Sequence, residues 1–581
     1  MASTPNTPSA PTTPNTTTAY YGSYSSEKRL YMIPRRPGGQ RGTWCIILGI
    51  FMFAVIIIFM VNLSVSLTSR AREDVCARAT VSSGRLQGTV VEVMNGSGVV
   101  AFYGVPYAEN PSGERRFKKP NCLSAMEGVF DATYKRPPCR QPRFVLGPSF
   151  TIDNSNSTED CLHLNIWIPT SCVSEGRNYS VVFFVHGGDY INGGNSYYFY
   201  DGRYLSSLGD VIVIVPNYRL GVFGFLNAEV PDAYGNMGIQ DLALALRWVT
   251  DNCQYFGGNP NRVTLIGQGS GAAAVAALWS SPTMPQYQIW RVILMSGSNY
   301  APLPENYGKK AEGNFQKFSK AAGCKRGQVE KKLQCLRSKS GSAILEAQAK
   351  ARIRFTPSFY DQVSAEHPTD SMERYLDVQD KSVILSVTES EGDAFFYNMF
   401  GKIIRQKATI TNETIEAVFS KRLGMPTEFV DLLISLSSYY PYSHSYRGWR
   451  DLIGDALFYC PVLRYAKMFH GLSVYSPAFL FMFAVKPSFS HTPGEYATHN
   501  DDVLMLFGVP FMFPHMATDM ERSTSMRYIQ TFTGFVKRTG VELSWPVYYS
   551  ETTAHTKLTH SGLYWAPQKS CRALSLYYAK L

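Results

Sequence analysis

Two kinds of apolar stretch dominate the hydrophobic pattern of this chain. Residues 44–67 contain no charged side chain, and the 44–61 part is almost entirely apolar, which is long enough to span a bilayer. Residues 181–185 and 211–215 form shorter continuous apolar runs, as expected for parallel strands covered on both faces by helices. The pattern therefore predicts one membrane-spanning helix followed by a large α/β domain.

Polar and small residues divide the rest of the chain into recognisable elements. Residues 84–88 and 99–107, with Gly and Asn turns between them, are predicted to be paired strands. Residues 301–380 are Lys-rich and mixed, and are interpreted as a helical cap. Residues 1–27 are mostly Thr, Pro, Ser, Asn and Tyr without aliphatic periodicity, so this segment is predicted to be disordered.

A strand, a tight turn and a helix are predicted in sequence between residues 263 and 278. The turn reads Gly267-Gln-Gly-Ser-Gly271, which fits the nucleophile elbow G-x-S-x-G except at its centre. The central position, which should carry the attacking hydroxyl, is Gly269. Ser270 is the alternative as a shifted nucleophile, but an elbow presents one side chain to the pocket, and its neighbour supplies a backbone N–H to the oxyanion hole.

Charge before the apolar span predicts the orientation of the chain in a membrane. Five basic residues precede the span, and mixed charges follow it, so the N-terminus is expected in the cytoplasm. The predicted organisation is a disordered cytoplasmic tail (1–43), a signal-anchor helix (44–67), a stalk (68–78) and an extracellular domain (79–581). A cleaved signal peptide is the alternative, but its apolar region would be shorter and nearer the terminus.

Composition narrows the class of protein further. The 581 residues carry a net charge of +11 without a basic run interleaved with aromatics, so nucleic acid is not an expected partner. No cofactor or metal is expected. Eleven cysteines indicate a disulfide-bonded domain in an oxidising compartment. Glycosylation acceptors in the predicted extracellular part are Asn95, Asn156, Asn178 and Asn412, whereas Asn15 and Asn62 are expected to stay unmodified.

Several sequence blocks around the elbow carry a family resemblance. They are Phe-Gly-Gly-Asn-Pro at 256–260, Glu-Asp-Cys-Leu at 159–162, His-Gly-Gly at 186–188 and Asn-Tyr-Arg-Leu-Gly at 217–221. Residues 79–581 thereby resemble the type-B carboxylesterase and cholinesterase family. The resemblance implies an α/β-hydrolase fold, a central and mostly parallel sheet with helices on both faces and helical cap insertions.

The resemblance also implies the positions of an esterase site. Glu391 and His499 match the family's acid and base, while the family's serine falls on Gly269. The oxyanion-hole region comprises Gly187, Gly188, Asp189 and Ser270. Asp189 replaces a family glycine, and its carboxylate would oppose a developing oxyanion by about 4 kcal/mol at an effective dielectric near 20 if it faced the pocket. Without a nucleophile, Glu391 and His499 are interpreted as a buried hydrogen-bonded pair.

Disulfide pairing follows from the same resemblance. It implies the bridges Cys139–Cys161, Cys324–Cys335 and Cys460–Cys571. Cys76, Cys122, Cys172 and Cys253 are left unassigned, with a Cys76–Cys122 bridge as one hypothesis. Residues 149–158 lack the tryptophan on which a choline head stacks in cholinesterases, so acetylcholine is not the expected substrate or ligand.

The combined features resemble the neurotactin-like group of catalytically inactive, type II, cholinesterase-like adhesion proteins. This resemblance implies a single-pass plasma-membrane protein that binds an extracellular protein ligand or receptor, with homodimerisation left open. Two alternatives remain. One is a membrane-anchored carboxylesterase that hydrolyses carboxylic esters, and the other is a non-catalytic binder of a small hydrophobic ligand in the former gorge.

Overall fold

A computed structural model describes most of the chain beyond residue 39. The described residues are 40–94, 98–143, 154–170, 172–174, 176–283, 289–358, 368–406, 409–440, 442, 445–540, 544–550, 552–566, 571 and 574. Residues 1–39 of the predicted tail, the Asn95 acceptor and residues 149–153 of the 149–158 stretch lie outside them. The chain divides into two units, residues 1–68 and 69–581.

The apolar N-terminal segment forms one long helix, α1 (Gln40–Cys76). Its Ile47–Ser64 part is long and apolar enough to cross a membrane, and every side chain in that window is exposed. The helix extends into the segment 68–78, the predicted stalk, as far as Cys76. The first strand of the larger unit begins two residues later, at Arg78.

Sixteen strands are present among the described residues, and eleven of them form the main sheet. In chain order the strands are β1 (Arg78–Val81), β2 (Gly84–Gln87), β3 (Thr89–Glu92), β4 (Gly98–Pro106), β5 (Val129–Asp131), β6 (His163–Ile168), β7 (Tyr179–Val185), β8 (Ile212–Pro216), β9 (Asn227–Val230), β10 (Ala233–Tyr234), β11 (Gly258–Gln268), β12 (Ile289–Met295), β13 (Val383–Thr388), β14 (Ala478–Phe483), β15 (His555–Thr559) and β16 (Gly562–Ala566).

The main sheet has the strand order β16-β15-β14-β13-β12-β11-β7-β8-β6-β4-β3. Its strands run parallel from β8 to β15, and the pairs at both ends are antiparallel. The predicted pairing of residues 84–88 with 99–107 is wrong. β2 lies in a separate three-stranded sheet with β1 and β5, whereas β4 pairs with β3 and β6 in the main sheet.

Helices cover the sheet and build the Lys-rich insertion. They are α2 (Arg203–Gly209), α3 (Gly221–Phe225), α4 (Met237–Asn252), α5 (Ser270–Trp279), α6 (Gly308–Ala321), α7 (Val329–Arg337), α8 (Gly341–Ala351), α9 (Pro368–Tyr375), α10 (Glu391–Arg405), α11 (Asn412–Glu416), α12 (Thr427–Leu436), α13 (Tyr446–Gly454), α14 (Cys460–Leu472), α15 (Asp501–Leu506), α16 (Val509–Met512) and α17 (Asp519–Lys537). The described part of 301–380 is therefore mostly helical, as predicted.

Alternate side chains of the central strands enter two different cores. On β7, Phe183 packs in one buried cluster, and Val182 and Phe184 pack in the other. β11 divides in the same way, with Leu265 in the first cluster and Ile266 in the second. Because successive residues of a strand point to opposite faces, a strand buried on both sides must be apolar throughout. This architecture is the α/β-hydrolase fold that the sequence predicts.

Four disulfides are present among the described residues. Three join the pairs implied by the family resemblance, namely Cys139–Cys161, Cys324–Cys335 and Cys460–Cys571. The fourth joins Cys76 to Cys172, so the hypothesis of a Cys76–Cys122 bridge is wrong. The last residue of α1 is placed beside the loop after β6, where Val173 N–H also donates to the Cys76 carbonyl. Cys122 is exposed and Cys253 is buried, both as free thiols.

Candidate active site

The predicted elbow joins the end of β11 to the start of α5. Gly269 lies between them with φ 57° and ψ −123°, a conformation that side-chain-bearing residues adopt only with strain. Position 267 requires glycine, because a Cβ there would clash with the Gly271 carbonyl oxygen. A Cβ built on Gly269 would lie 3.1 Å from Nε2 of His499. Position 269 therefore has the backbone and the direction of a nucleophile position, without the nucleophile.

His499 and Glu391 are brought together from distant parts of the chain. Nδ1 of His499 lies 2.7 Å from Oε2 of Glu391. The other carboxylate oxygen accepts hydrogen bonds from the Ser296 hydroxyl at 2.7 Å and the Thr388 N–H at 2.6 Å. The ring of Phe458 packs against the imidazole, with ring centroids 4.6 Å apart. The predicted acid and base thus form a well-anchored pair whose imidazole is oriented toward Gly269.

Gln268, which the sequence analysis did not single out, occupies the second ring nitrogen of His499. Its Nε2 lies 2.9 Å from Nε2 of His499. An amide nitrogen can only donate, so the imidazole in this arrangement is neutral, with its proton on Nδ1 facing Glu391. The lone pair that would accept a proton from a nucleophile is therefore engaged. The sequence feature that could have identified Gln268 as a site residue is its position, directly before the centre of the elbow.

Two opposing effects act on the charge of His499. Burial disfavours the imidazolium, but the hydrogen bond and negative charge of Glu391, with Asp502 and Asp501 nearby, outweigh it and raise the pKa of His499 above its ordinary value. A protonated ring would donate from both nitrogens, and Gln268 would then have to turn its amide oxygen toward it.

The loop predicted to form the oxyanion hole contacts the side chain of Ser270 instead of leaving open space for an oxyanion. Gly188 and Asp189 have φ values of 112° and 65°, so this loop follows a backbone path that favours glycine. The Asp189 N–H donates to the Ser270 hydroxyl at 2.8 Å, and the Tyr190 N–H lies 3.3 Å from the same oxygen. At least one donor expected to bind an oxyanion is therefore engaged by Ser270.

The Asp189 carboxylate is paired with a cation. It forms an ion pair with Arg354, from the segment after α8, and remains about half exposed. The repulsion expected between an unpaired carboxylate and an oxyanion is thus offset by an adjacent guanidinium. Asp189 still affects the site, because its own N–H is the donor that Ser270 engages.

Two buried acids after His499 form a part of the site that sequence reasoning missed. Burial raises the pKa of Asp502 to about 7 and that of Asp501 to about 6. Asp501 is partly compensated by Lys486, with 3.3 Å between Oδ2 and Nζ. For Asp502, the negative charge of Glu391 raises the pKa further, while a charged His499 opposes that rise. Asp502 Oδ2 is buried without a hydrogen-bond partner among the described residues.

Replacing Asp502 by Asn is expected to change how stability depends on pH. The unfolded side chain ionises near pH 4, whereas the folded one keeps its proton until about pH 7. The folded state of the natural chain therefore loses stability as pH rises from 4 to 7, and an amide cannot contribute to this loss. Relative to the natural chain, Asp502→Asn should gain on the order of 2–4 kcal/mol between pH 4 and pH 8.

Urea unfolding of the full chain in detergent, followed by tryptophan fluorescence at several pH values, measures this difference. The control is Asp251→Asn, because Asp251 is exposed on α4. Equal pH dependence in the Asp502→Asn chain and the natural chain would contradict the assignment.

The predicted glycosylation acceptors within the described residues are exposed. They are Asn156, Asn178 and Asn412. Asn178 accepts a hydrogen bond from the Asn259 amide at 2.7 Å. Among the described residues, no three His, Cys, Asp or Glu side chains gather where they could hold a metal ion.

The fold and the His499–Glu391 pair facing an elbow define an α/β-hydrolase. Residues 76–570 match the profile of the Carboxylesterase family, so the chain belongs to that family. It is 32% identical over 503 residues to acetylcholinesterase-1 of Trittame loki, covering 81% of this chain and 88% of the relative. It is 31% identical over 540 residues to the cholinesterase of Mus musculus, covering 86% and 87%. A para-nitrobenzyl esterase of Bacillus subtilis is 29% identical over 491 residues, covering 81% and 93%.

Proposed function

We propose that this protein is a catalytically inactive member of the carboxylesterase family that acts at the cell surface by binding an extracellular protein partner. The observation that carries the proposal is the elbow, where Gly269 presents no hydroxyl to His499. Loss of the serine from a comparable triad lowers turnover roughly a millionfold. Acyl transfer through this position is therefore unavailable.

Two further contacts support inactivity independently of Gly269. The Gln268 amide engages Nε2 of His499, which removes the base, and the Ser270 hydroxyl engages the N–H of Asp189, which removes an oxyanion donor. A site selected for hydrolysis would keep both groups available for the reaction. Together the three features describe a hydrolase site whose base and donor are used to hold the fold.

The proposed location rests on the N-terminal helix and the disulfides. One apolar helix is long enough to cross a membrane, and disulfides are typical of extracellular domains. Five basic residues before the apolar span of this helix support a type II orientation, with the larger unit outside the cell. A domain of this size that is displayed outside the cell without hydrolysis is suited to recognition, and the resemblance to cholinesterase-like adhesion proteins supports the same role.

The alternative function is ester hydrolysis, and the names of the relatives favour it. Two of them are described as cholinesterases and one as an esterase. This chain would need another nucleophile, and Ser270 is the nearest hydroxyl in the elbow. Its oxygen already accepts from the Asp189 N–H, and both ring nitrogens of His499 have other partners. The contacts therefore disfavour Ser270 as an activated nucleophile.

Reaction of the full chain with a fluorophosphonate probe separates the two functions. We expect no covalent labelling of the natural chain and no hydrolysis of a short-chain ester, because position 269 lacks a hydroxyl. Labelling that disappears in Ser270→Ala would instead establish an esterase that uses Ser270.

Cell-aggregation and partner-capture assays with the displayed chain test the recognition function separately. Aggregation between expressing cells would indicate self-recognition, and aggregation only with other cells would indicate a different partner. Absence of binding in both assays would remove the adhesion part of the proposal.

A further inference from the structure

The positive charge of the extracellular part is concentrated in one insertion. Residues 301–354 contain 13 Lys or Arg and four Asp or Glu, a net charge of +9. Residues 69–581 as a whole carry +7, so the remainder of this unit is close to neutral at −2. Basic residues spread evenly over the whole surface would need no explanation, but their concentration in one insertion does.

On α6 the lysines follow the helical repeat. At 100° per residue, Lys309, Lys310, Lys317 and Lys320 fall within about a 100° arc. The buried residues of α6, among them Phe315, lie on the opposite side of the helix. All four lysines are exposed, and none makes an ion pair with another described residue.

The connection to α7 extends the same basic surface. Lys325 and Arg326 lie in the exposed turn between α6 and α7, and Lys331 is exposed on α7. The Cys324–Cys335 disulfide joins the turn after α6 to α7, and Lys332 on α7 donates a hydrogen bond to Gln316 on α6. We call the exposed side chains of Lys317, Lys320, Lys325, Arg326 and Lys331 the basic α6–α7 surface.

Helix stability does not account for this arrangement. The first turn of α6 contains Lys309 and Lys310 and no acidic residue. Cations at a helix N-terminus are unfavourable because they oppose the helix dipole. Only Lys320, in the last turn, is placed where the dipole favours it. The dipole therefore opposes the two lysines at the start of α6 and favours only Lys320, so helix stability does not explain why basic residues are concentrated in this insertion.

We propose that the basic α6–α7 surface binds a linear sulfated polysaccharide of the cell surface or extracellular matrix. A surface of positive charge is complementary to a polyanion. Most of its residues are lysines, whose compact charges on flexible side chains suit a flexible ligand chain better than they suit bidentate binding of a rigid anionic group. The exposed surfaces of α6 and α7 present no aromatic ring on which nucleic-acid bases could stack, and the exposed Tyr307 lies before α6, at the end of that helix away from Lys317 and Lys320. Anionic phospholipid is concentrated in the cytoplasmic leaflet, away from the proposed location of this domain.

The test uses intact cells that express the full chain and have been treated to remove their own sulfated glycans. Fluorescent heparin is the probe, and bound probe is divided by the amount of chain at the surface. The basic cytoplasmic tail cannot contribute in this format if the type II orientation proposed above holds. The test variant is Lys317→Gln, Lys320→Gln, Lys325→Gln, Lys331→Gln.

The control variant removes the same number of charges elsewhere. It is Lys119→Gln, Lys402→Gln, Lys421→Gln, Arg422→Gln, all at exposed positions. We expect the test variant to lose about tenfold or more in heparin affinity near physiological salt, and the control to change less than about twofold. Affinity of the natural chain should fall steeply as salt is raised.

Three results would overturn the proposal. They are no binding of heparin by the natural chain, equal losses in the two variants, and equal competition by polyglutamate and heparin, since the last result would identify an acidic protein as the partner. Fluorophosphonate labelling is measured separately, so an active esterase and a chain that does not bind heparin are distinguishable outcomes.

Discussion

A Gly269→Ser variant of the full chain is expected to react only slowly with a fluorophosphonate. A Gly269→Ser, Gln268→Ala, Ser270→Ala variant should react about a hundredfold faster or more. The new serine would point at His499, because a Cβ at position 269 lies 3.1 Å from Nε2. In the single variant, however, Gln268 still occupies that nitrogen, and Ser270 still occupies the Asp189 N–H.

The expected size of the effect follows from the groups that are released. One oxyanion donor contributes roughly 10²–10³ in rate, and a positioned general base contributes about 10²–10⁴. Serine at φ 57° should also destabilise the fold by about 1–3 kcal/mol, which a lower thermal midpoint would report.

The measurement is the second-order rate constant for labelling. The control is the same triple variant with alanine at position 269, which carries a Cβ but no hydroxyl and should remain unlabelled. Equal rates for the single and triple variants would show that Gln268 and Ser270 do not restrain the site.

Replacing Asp189 by glycine, which the sequence alone suggests as a second restoring change, is expected to help less than Ser270→Ala. The carboxylate of Asp189 is paired with Arg354, so glycine would leave that guanidinium without its partner. The backbone N–H of residue 189 would still donate to Ser270. The comparison of Gly269→Ser, Asp189→Gly with Gly269→Ser, Ser270→Ala distinguishes side-chain charge from donor occupancy as the greater obstacle.

The sequence was sufficient for features that depend on short-range pattern. The apolar runs at 181–185 and 211–215 predicted the parallel strands β7 and β8, because strands buried on both faces need apolar residues throughout. The elbow at Gly269 could be located because a tight strand-to-helix turn needs small residues at fixed spacing. Local sequence constrains both kinds of element directly.

Contacts between distant segments could not be predicted in the same way. Gln268 reaches His499 across 231 positions of the chain, and the Cys76–Cys172 bridge closes a separation of 96. Ser270 was predicted as a supplier of a backbone N–H, but its hydroxyl direction depends on how the loop around Asp189 folds over α5. Such details are decided by tertiary packing, and a single sequence carries little information about them.

Breaking the ion pair between Arg219 and Asp241 is expected to have the largest effect on stability. Asp241, on α4, is fully buried and accepts from the Arg219 backbone N–H at 3.0 Å and from Nε and Nη2 at 2.8 and 2.7 Å. Asp241→Ala leaves a buried guanidinium without its counter-charge. The free energy of unfolding should therefore fall by about 3–5 kcal/mol.

The same helix supplies the matched control for this prediction. Asp251 pairs with Arg247 at 3.8 Å, but both side chains are more than half exposed. Asp251→Ala should change stability by no more than about 0.5 kcal/mol. Urea unfolding of both variants measures the difference, and similar losses would mean that the Arg219 pair is not the source of the effect.

A double variant separates the stability of the ion pair from the cost of breaking it. Arg219→Met, Asp241→Leu removes both charges and fills the space with apolar atoms, so it should recover most of the stability lost in Asp241→Ala. The segment after Arg219 also supports the site, because the Gly221 N–H donates to the carbonyl of Tyr190 at 2.7 Å. If the Arg219–Asp241 pair also positions the loop that contains Tyr190, the labelling rate gained by the triple elbow variant should fall when Asp241→Ala is added. It should return when Arg219→Met, Asp241→Leu is added instead.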